Sequence, residues 1–307
     1  MNKTMMKKNT IKHNDNIPNS TSKLLIHLVF ILFSLLCVVP FIIIISISFS
    51  SDSYIRLHGY SMIPKVLNLN GYRMIFADTG QIFNSYGVSI FITIFGTAIS
   101  MWCVATIGFV ISRRDYKFAR TTTIFVFLTM LFNGGLIPTY ILMTRILHLQ
   151  NSLFAVILPL LVNGWSVLLM KGFMRSVPVA MIESAKIDGA SELRIFLYII
   201  IPMAKAGIAT LSLFSVLLYW NEWFLPLLYI ENMKIAPLQL LLYRVMSNAQ
   251  YLASSFASFN QNLLVKDIPT LSSRMAIVVV AAAPMLPVFL YFQKYFVKGL
   301  VIGSLKE

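Results

Sequence analysis

Six apolar runs, each about as long as a bilayer is thick in helical residues, recur along the chain at about 24–49, 86–112, 121–143, 153–170, 206–229 and 275–293. A soluble domain of 307 residues has no interior large enough for a composition that is 58% hydrophobic and 12% charged, at a mean hydropathy of +0.78. Lipid accepts such segments without penalty, and it admits only structures that satisfy their own backbone hydrogen bonds. The expected fold is therefore all-α: a polytopic membrane protein with six transmembrane helices. A polar segment, 1–23, precedes the first run, and one membrane domain covers 24–307. The run from Leu24 is too long for a secretory leader and has no small-residue cleavage site, so it is read as part of the mature protein.

Orientation follows from the cations between the runs, because cytoplasmic loops retain Lys and Arg. With the N-terminus inside, the inner segments hold Lys3, Lys7, Lys8, Lys12 and Lys23; then Arg113, Arg114, Lys117 and Arg120; then Lys171, Arg175, Lys186, Arg194 and Lys205; then Lys294, Lys298 and Lys306. The remaining eight of the 25 Lys and Arg residues fall outside. Both termini are thus expected in the cytoplasm. Topology accounts for the formal charge of +14, and no continuous basic stripe with interleaved aromatics offers a nucleic-acid surface. For the same reason the charge is no argument for an acidic cargo.

Cys37 and Cys103 sit inside apolar runs with no CxxC spacing, and they read as small buried side chains. His27, His58 and His148 have no Cys or carboxylate at ligand spacing, so no metal site is assigned. Asn133-Gly134-Gly135 and Pro138 interrupt the third run, which predicts a break or kink there. Asn133, Asn163 and Trp165 either line a pathway or serve that irregular backbone.

Three connections exceed what a turn needs. Outer segments 50–85 and 230–274 either contact a soluble partner or are loop length without function. The cytoplasmic one, 171–205, contains Pro178-Val-Ala-Met-Ile-Glu183-Ser184-Ala185-Lys186-Ile187-Asp188-Gly189-Ala190-Ser191-Glu192. Ser176 and Pro178 suit a helix start, Asp188-Gly189 a left-handed stop, and Ser191 with Glu192 a second start. The spacing predicts helix, sharp turn, helix. Its mixture of apolar anchors and rim charges suits docking in a groove of another protein, although a purely structural inner loop fits the same residues. Ile195–Ile201 is too short to span, since Arg194 and Pro202 bound it, and it is placed at the inner surface or as the lead-in to the fifth helix.

These residues also carry a family resemblance. Glu183-Ser-Ala-X-X-X-Gly189, followed after nine residues by Ile199-X-Ile-Pro202, resembles the EAA signature of permease subunits of binding-protein-dependent ABC importers, with Ser184 and Ile201 as its two departures. The Asp188-Gly189-Ala190 triplet is similar to the carbohydrate branch. So are Trp220-Asn221-Glu222-Trp223-Phe224-Leu225-Pro226 and the tail from Phe292 to Leu300. The resemblance implies an ATPase-coupling element made of Glu183, Ser184, Ala185, Asp188, Gly189 and Ala190. It implies two cytoplasmic ATPase subunits that bind ATP and Mg, a second homologous permease subunit, an extracytoplasmic solute-binding protein, and a sugar or oligosaccharide cargo crossing a bacterial inner membrane. The chain has no G-x-x-x-x-G-K-[ST] loop of its own, and neither a catalytic residue nor a cofactor is assigned to it.

Trp220, Asn221, Glu222 and Trp223, with Asn133, are candidates for the substrate pathway, because saccharides take aromatic faces with amide and carboxylate partners. Trp at a helix end also serves as an interfacial anchor. Asn248, Gln250, Tyr251 and Ser254 are candidates for contact with the binding protein. Two other classes compete. An ion-coupled secondary transporter would place charged or broken-helix sites in two similar halves, and no such repeat is visible. An intramembrane enzyme would need HExxH, GxSxG or paired carboxylates in the spans, which are absent. A permease of the same kind with a non-sugar cargo remains a third reading.

Overall fold

A computed structural model describes residues 20–259 and 271–304, with side chains described for 24–251 and 271–294. Among the described residues the chain is helical, and its only strand-like contact is one isolated bridge between Ser50 and Leu67. Of the polar segment 1–23, only Ser20–Lys23 is described, and it already forms the first turn of helix α1, Ser20–Ser48.

Three helices are long and apolar enough to cross a membrane: Leu24–Ser48, Thr79–Ser112 and Leu271–Lys294. Three bent pairs reach that length jointly, which gives up to six crossings. The segment after α1 forms α2, Asp52–His58, and α3, Asn70–Ile75, before the long α4, Thr79–Ser112. The expected interruption at Asn133-Gly134-Gly135 is a 107° bend between α5, Ala119–Leu131, and α6, Leu136–Ile141, which a π turn extends to Ile146. A 52° bend separates α7, Phe154–Ile157, with its 3-10 extension to Leu160, from α8, Gly164–Arg175. Asn163 makes this second bend by accepting from the Ser166 N–H at 3.2 Å.

The inner loop contributes α9, Val179–Ile187, and α10, Glu192–Ile195. The apolar Ile195–Ile201 piece is the bent lead-in, a π turn over Phe196–Ile200 and the short α11, Ile201–Met203; it meets α12, Lys205–Asn221, at 82°. Ile195, Phe196 and Ile200 are buried there while Leu197 and Tyr198 are exposed, so one face of the lead-in is core and the other is surface.

Two expectations about the outer side are revised. The run 206–229 is not one helix: it stops at Asn221, and α13, Phe224–Tyr229, begins after Glu222 and Trp223. Within the 230–274 segment Leu238–Phe259 forms the helix α14 rather than a loop, and residues 260–270 lie outside the described ones. Leu238, Leu241, Leu242 and Val245 recur at helical spacing, and the first three are buried against α3, α4 and α12 residues in one cluster. Ser, Asn and Gln on the other positions dilute that stripe in the sequence. Helices α15, Leu271–Ala282, and α16, Met285–Ser304, complete the chain.

The core forms where α4 meets α8 and α12, and α4 approaches α12 tightly at Gly96. A Cβ there would lie 2.7 Å from the Tyr219 ring, so only hydrogen fits between the two helices. By contrast α1 buries only its last turns, Ser46–Ser48, and Cys37 is exposed on it while Cys103 is half-buried. The expectation of two buried thiols therefore fails for Cys37, which sits on an apolar face that the described residues do not cover.

Candidate functional site

The element between α8 and α12 is built as a rigid corner. Ser176 does not open α9; its hydroxyl donates to the Phe173 carbonyl at 2.7 Å and closes α8, and Pro178 takes the N-terminal position of α9. At the other end the Gly189 N–H donates to the Lys186 carbonyl at 3.0 Å and the Ala190 N–H to the Ala185 carbonyl at 2.9 Å. That pair of bonds is a Schellman stop, and it places Gly189 at φ 76°, a backbone region where a Cβ is strained. The Ser191 hydroxyl then accepts from the Arg194 N–H at 3.4 Å to start α10, with Glu192 in its first turn.

The two faces of the corner differ in chemistry. Ile182 is buried, and Ala185 and Ala190 pack against the core cluster of α4, α8 and the lead-in. Outward, Glu183, Ser184 and Asp188 are exposed beside Val179, Met181 and Leu193, and Ile187 is 86% exposed. An isoleucine displayed to that degree on an ordered helix, rimmed by charges, has the character of an anchor awaiting a pocket.

Beneath the corner lies a ring of charges that the sequence did not disclose as a site. Arg113 grips Asp115 with two hydrogen bonds, Nε to Oδ1 at 3.1 Å and Nη2 to Oδ2 at 2.9 Å. Lys186 of α9 reaches Asp115 at 2.7 Å and Glu192 of α10 at 2.9 Å, and Arg113 closes the ring onto Glu192 at 3.3 Å. The Arg113 side chain is only 10% exposed, with its guanidinium 5.6 Å from the Phe109 ring centre. The hydrogen bonds from Arg113 and then Lys186 hold the Asp115 carboxyl well below the usual carboxylate range, and those from Lys186 to Asp115 and Glu192 raise the lysine. A cavity of about 670 Å³ opens beside the ring, lined among others by Arg114, Arg175, Glu183 and Lys186. Arg113 and Arg114 had been read only as topology cations. The available signal was Asp115, the one carboxylate in an otherwise cationic inner stretch.

The outer candidates are arranged differently. Trp220 is buried, and its indole N–H donates to the Ala281 carbonyl at 2.9 Å. Asn221 donates to the Leu217 carbonyl at 2.8 Å. Glu222 Oε1 accepts from the Phe224 and Leu225 N–H groups at 2.9 and 2.8 Å, which starts α13. Of the 220–223 group Trp223 alone keeps an open ring, half-exposed and stacked on Tyr243 of α14 at 4.8 Å between ring centres; Tyr243 had not been singled out in the sequence. Asn133 accepts from the Gly135 N–H at 2.9 Å and so serves the bend. Trp165 is exposed and meets Phe214 edge to face at 5.6 Å. Asn248, Gln250 and Tyr251 are exposed on α14, and the Ser254 side chain lies outside the described residues.

The profile of the family described as binding-protein-dependent transport system inner membrane component matches residues 111–302. The polygalacturonan/rhamnogalacturonan transport system permease protein YtcP of Bacillus subtilis is 35% identical over 288 residues, covering 94% of this chain and 99% of that one. Protein LplC of the same organism is 35% identical over 270 residues, covering 88% and 89%. Among solved structures, a chain of a bacterial ABC transporter involved in the import of the acidic polysaccharide alginate superposes with a TM-score of 0.74 at 26% identity, covering 89% of this chain and 96% of that one.

Proposed function

The chain belongs to the family of binding-protein-dependent transport system inner membrane components, and from that membership we propose that it is the permease subunit of an ABC importer for oligosaccharides, driven through the corner formed by α9 and α10. The observation that carries the coupling role is Ile187, exposed at the apex of a helix whose backbone is fixed by its own Schellman stop. Glu183, Ser184, Asp188 and Gly189 surround it, while Ala185 and Ala190 seat the corner on the membrane core.

In this reading two cytoplasmic ATPase subunits bind ATP and Mg, and one of them receives Ile187 in a cleft. A second, homologous permease completes the translocation path and covers apolar surface such as that of α1 and α5. Closure of the ATPases displaces the docked corner and shifts the helices between inward-open and outward-open states, a population shift set by differential contacts. The topology that fits is six crossings, counting each bent pair once, with both termini in the cytoplasm and the Lys- and Arg-rich segments inside.

An extracytoplasmic binding protein delivers the cargo, and the exposed part of α14 around Asn248, Gln250 and Tyr251 is the surface we assign to it. Trp223, stacked on Tyr243, is the residue of the 220–223 group with an aromatic face left for a sugar ring. Among cargoes we favour uronic-acid oligomers. Polygalacturonan and alginate, named for two of the similar proteins, are both polyuronides.

The test is reconstitution of the chain with its partner permease, ATPase and binding protein in vesicles, with ATP hydrolysis measured against a panel of uronic and neutral oligosaccharides. Stimulation by the uronic members is expected. Stimulation by neutral oligosaccharides alone would replace the cargo and leave the coupling intact. Uptake driven by an ion gradient without nucleotide would overturn the whole reading in favour of a secondary transporter.

A further inference from the structure

Helix α4 is 34 residues long, about 50 Å at the helical rise, and among the described residues it is a long, unbroken helix fixed at each end by side-chain bonds to a functional element. At its inner end, Arg113 and Asp115 form the charge ring with Lys186 and Glu192 of the corner. Phe109, one turn before Arg113, meets Phe196 of the lead-in at 5.1 Å between ring centres. At its outer end Gln81 donates to the Met233 carbonyl at 2.7 Å, Asn84 to the Lys234 carbonyl, and the Leu238 N–H donates to the buried Ser89 hydroxyl at 2.8 Å. Residues 233–237 lead directly into α14, which begins at Leu238. Between the two ends, tight packing against Tyr219 at Gly96 leaves little room for bending.

We infer that α4 is the mechanical link between the ATPase-docking corner and α14, with Arg113 and Asp115 as positioning residues at one end and Gln81 and Asn84 at the other. Displacing the corner moves the ring, the ring moves α4 as a body, and α4 moves the foot of α14. By reciprocity, engagement of α14 from outside loads the corner. The three bent pairs turn by 52° to 107° at their breaks and would absorb such a displacement. This inference rests on the proposed docking of the corner and adds the route by which the docking is felt outside.

The experiment uses the full complex with its binding protein. Asp115→Asn removes the charge that Arg113 and Lys186 share, and a Gln81→Ala, Asn84→Ala pair removes the outer bonds. Each lesion is expected to lower binding-protein stimulation of ATP hydrolysis by about 5- to 10-fold, within the usual range of allosteric couplings. The unstimulated rate and copurification of all subunits should stay intact, and Asp115→Glu should restore stimulation. Two lesions on one link should not multiply, so the combined variant is expected to lose no more than about tenfold, whereas independent sites would lose about 50-fold. Full stimulation in either single lesion, or multiplying losses, overturns the link.

A second measurement covers the case of poor assembly. In a Cys37→Ser, Cys103→Ser background, the thiol of Asn248→Cys should change its labelling rate on adding nucleotide, and no such change would overturn the link. Ile187→Asp separates the underlying reading. If the ATPase still copurifies with that variant, the docking itself fails, whatever the behaviour of α4.

Discussion

The α9–α10 corner and the outer segment from Trp220 to Pro226 are the two places where the sequence is densest in motif residues, yet they use those residues in opposite ways. In the corner the backbone closes its own hydrogen bonds, through the Gly189 and Ala190 amides, and the side chains Ile187, Glu183 and Asp188 are left outward. In the outer segment the side chains are consumed by the backbone: Trp220 on Ala281, Asn221 on Leu217, Glu222 on the first amides of α13. A motif whose main chain is self-sufficient is available to a partner, whereas one whose side chains are hydrogen-bonded within the chain holds a shape. Only Trp223 escapes this second pattern.

The largest effect that would test the contrast is expected at Gly189. A β-branched residue at φ 76° costs roughly 1–2 kcal/mol or more in backbone strain, and the open space around the position gives no steric reason for failure. Gly189→Val should therefore insert and fold yet lose ATPase association, and Gly189→Asn, which tolerates left-handed backbone, should keep most of it. Equal loss in both variants would show that the position matters for something other than its backbone.

Trp220→Ala comes next, because it empties a buried site and leaves the Ala281 carbonyl without its donor. A loss of about 3 kcal/mol is expected from the cavity, read as a large fall in the thermal midpoint of the purified subunit. Trp223→Ala should leave that midpoint nearly unchanged and reduce uptake instead. If the two exchanged behaviours, the division of the segment into scaffold and open ring would be wrong.

Glu222 offers a smaller but sharper discrimination. Glu222→Ala removes the acceptor for two α13 amides and should cost about 1 kcal/mol, as loss of a helix cap does. Glu222→Gln keeps a neutral acceptor and should restore stability and transport together. A Gln variant that folds like the parent but fails in transport would mean that the carboxylate itself contacts cargo.

Much of this was legible in the sequence, and the parts that were not share a physical origin. The apolar runs marked the three helices long enough to cross and the three bent pairs that reach that length jointly, because lipid imposes a length. The corner was readable because Asp188-Gly189 and Ser191 are local signals that act within one turn. The break after Asn221 was missed since Glu222, in an apolar neighbourhood, reads as a functional charge until its two amide partners are seen. Helix α14 was missed because its Leu238, Leu241, Leu242 and Val245 stripe is diluted by Ser, Asn and Gln on the other face. The charge ring joins residues more than 70 positions apart, and no local pattern encodes that distance. Ser176 was assigned to the wrong helix because it stands between two helices and its hydroxyl serves the earlier one.

The smallest expected effect is that of pH on the ring, and its sign follows from the two shifts. Asp115 is lowered from 3.8, so the stability it lends is present above that value and is lost only as pH falls through its lower folded pKa. Lys186 is raised from 10.5, so its contribution is complete below that value and is lost as pH rises through its higher folded pKa. Between these limits the Asp115 and Lys186 charges both persist. Coupling through α4 should therefore be flat from about pH 5 to about pH 9, apart from any titration of the partner subunits. Salt should act more than protons do. Asp115 is 54% and Lys186 is 40% exposed, so their attraction is screened, while Arg113 at 10% is sheltered. Raising ionic strength toward 1 M is expected to lower binding-protein stimulation by less than about twofold, as for exposed pairs generally, and the Asp115→Asn complex should lose that salt sensitivity. A steep salt dependence that persists in Asp115→Asn would place the sensitive charges at the subunit contacts rather than in the ring.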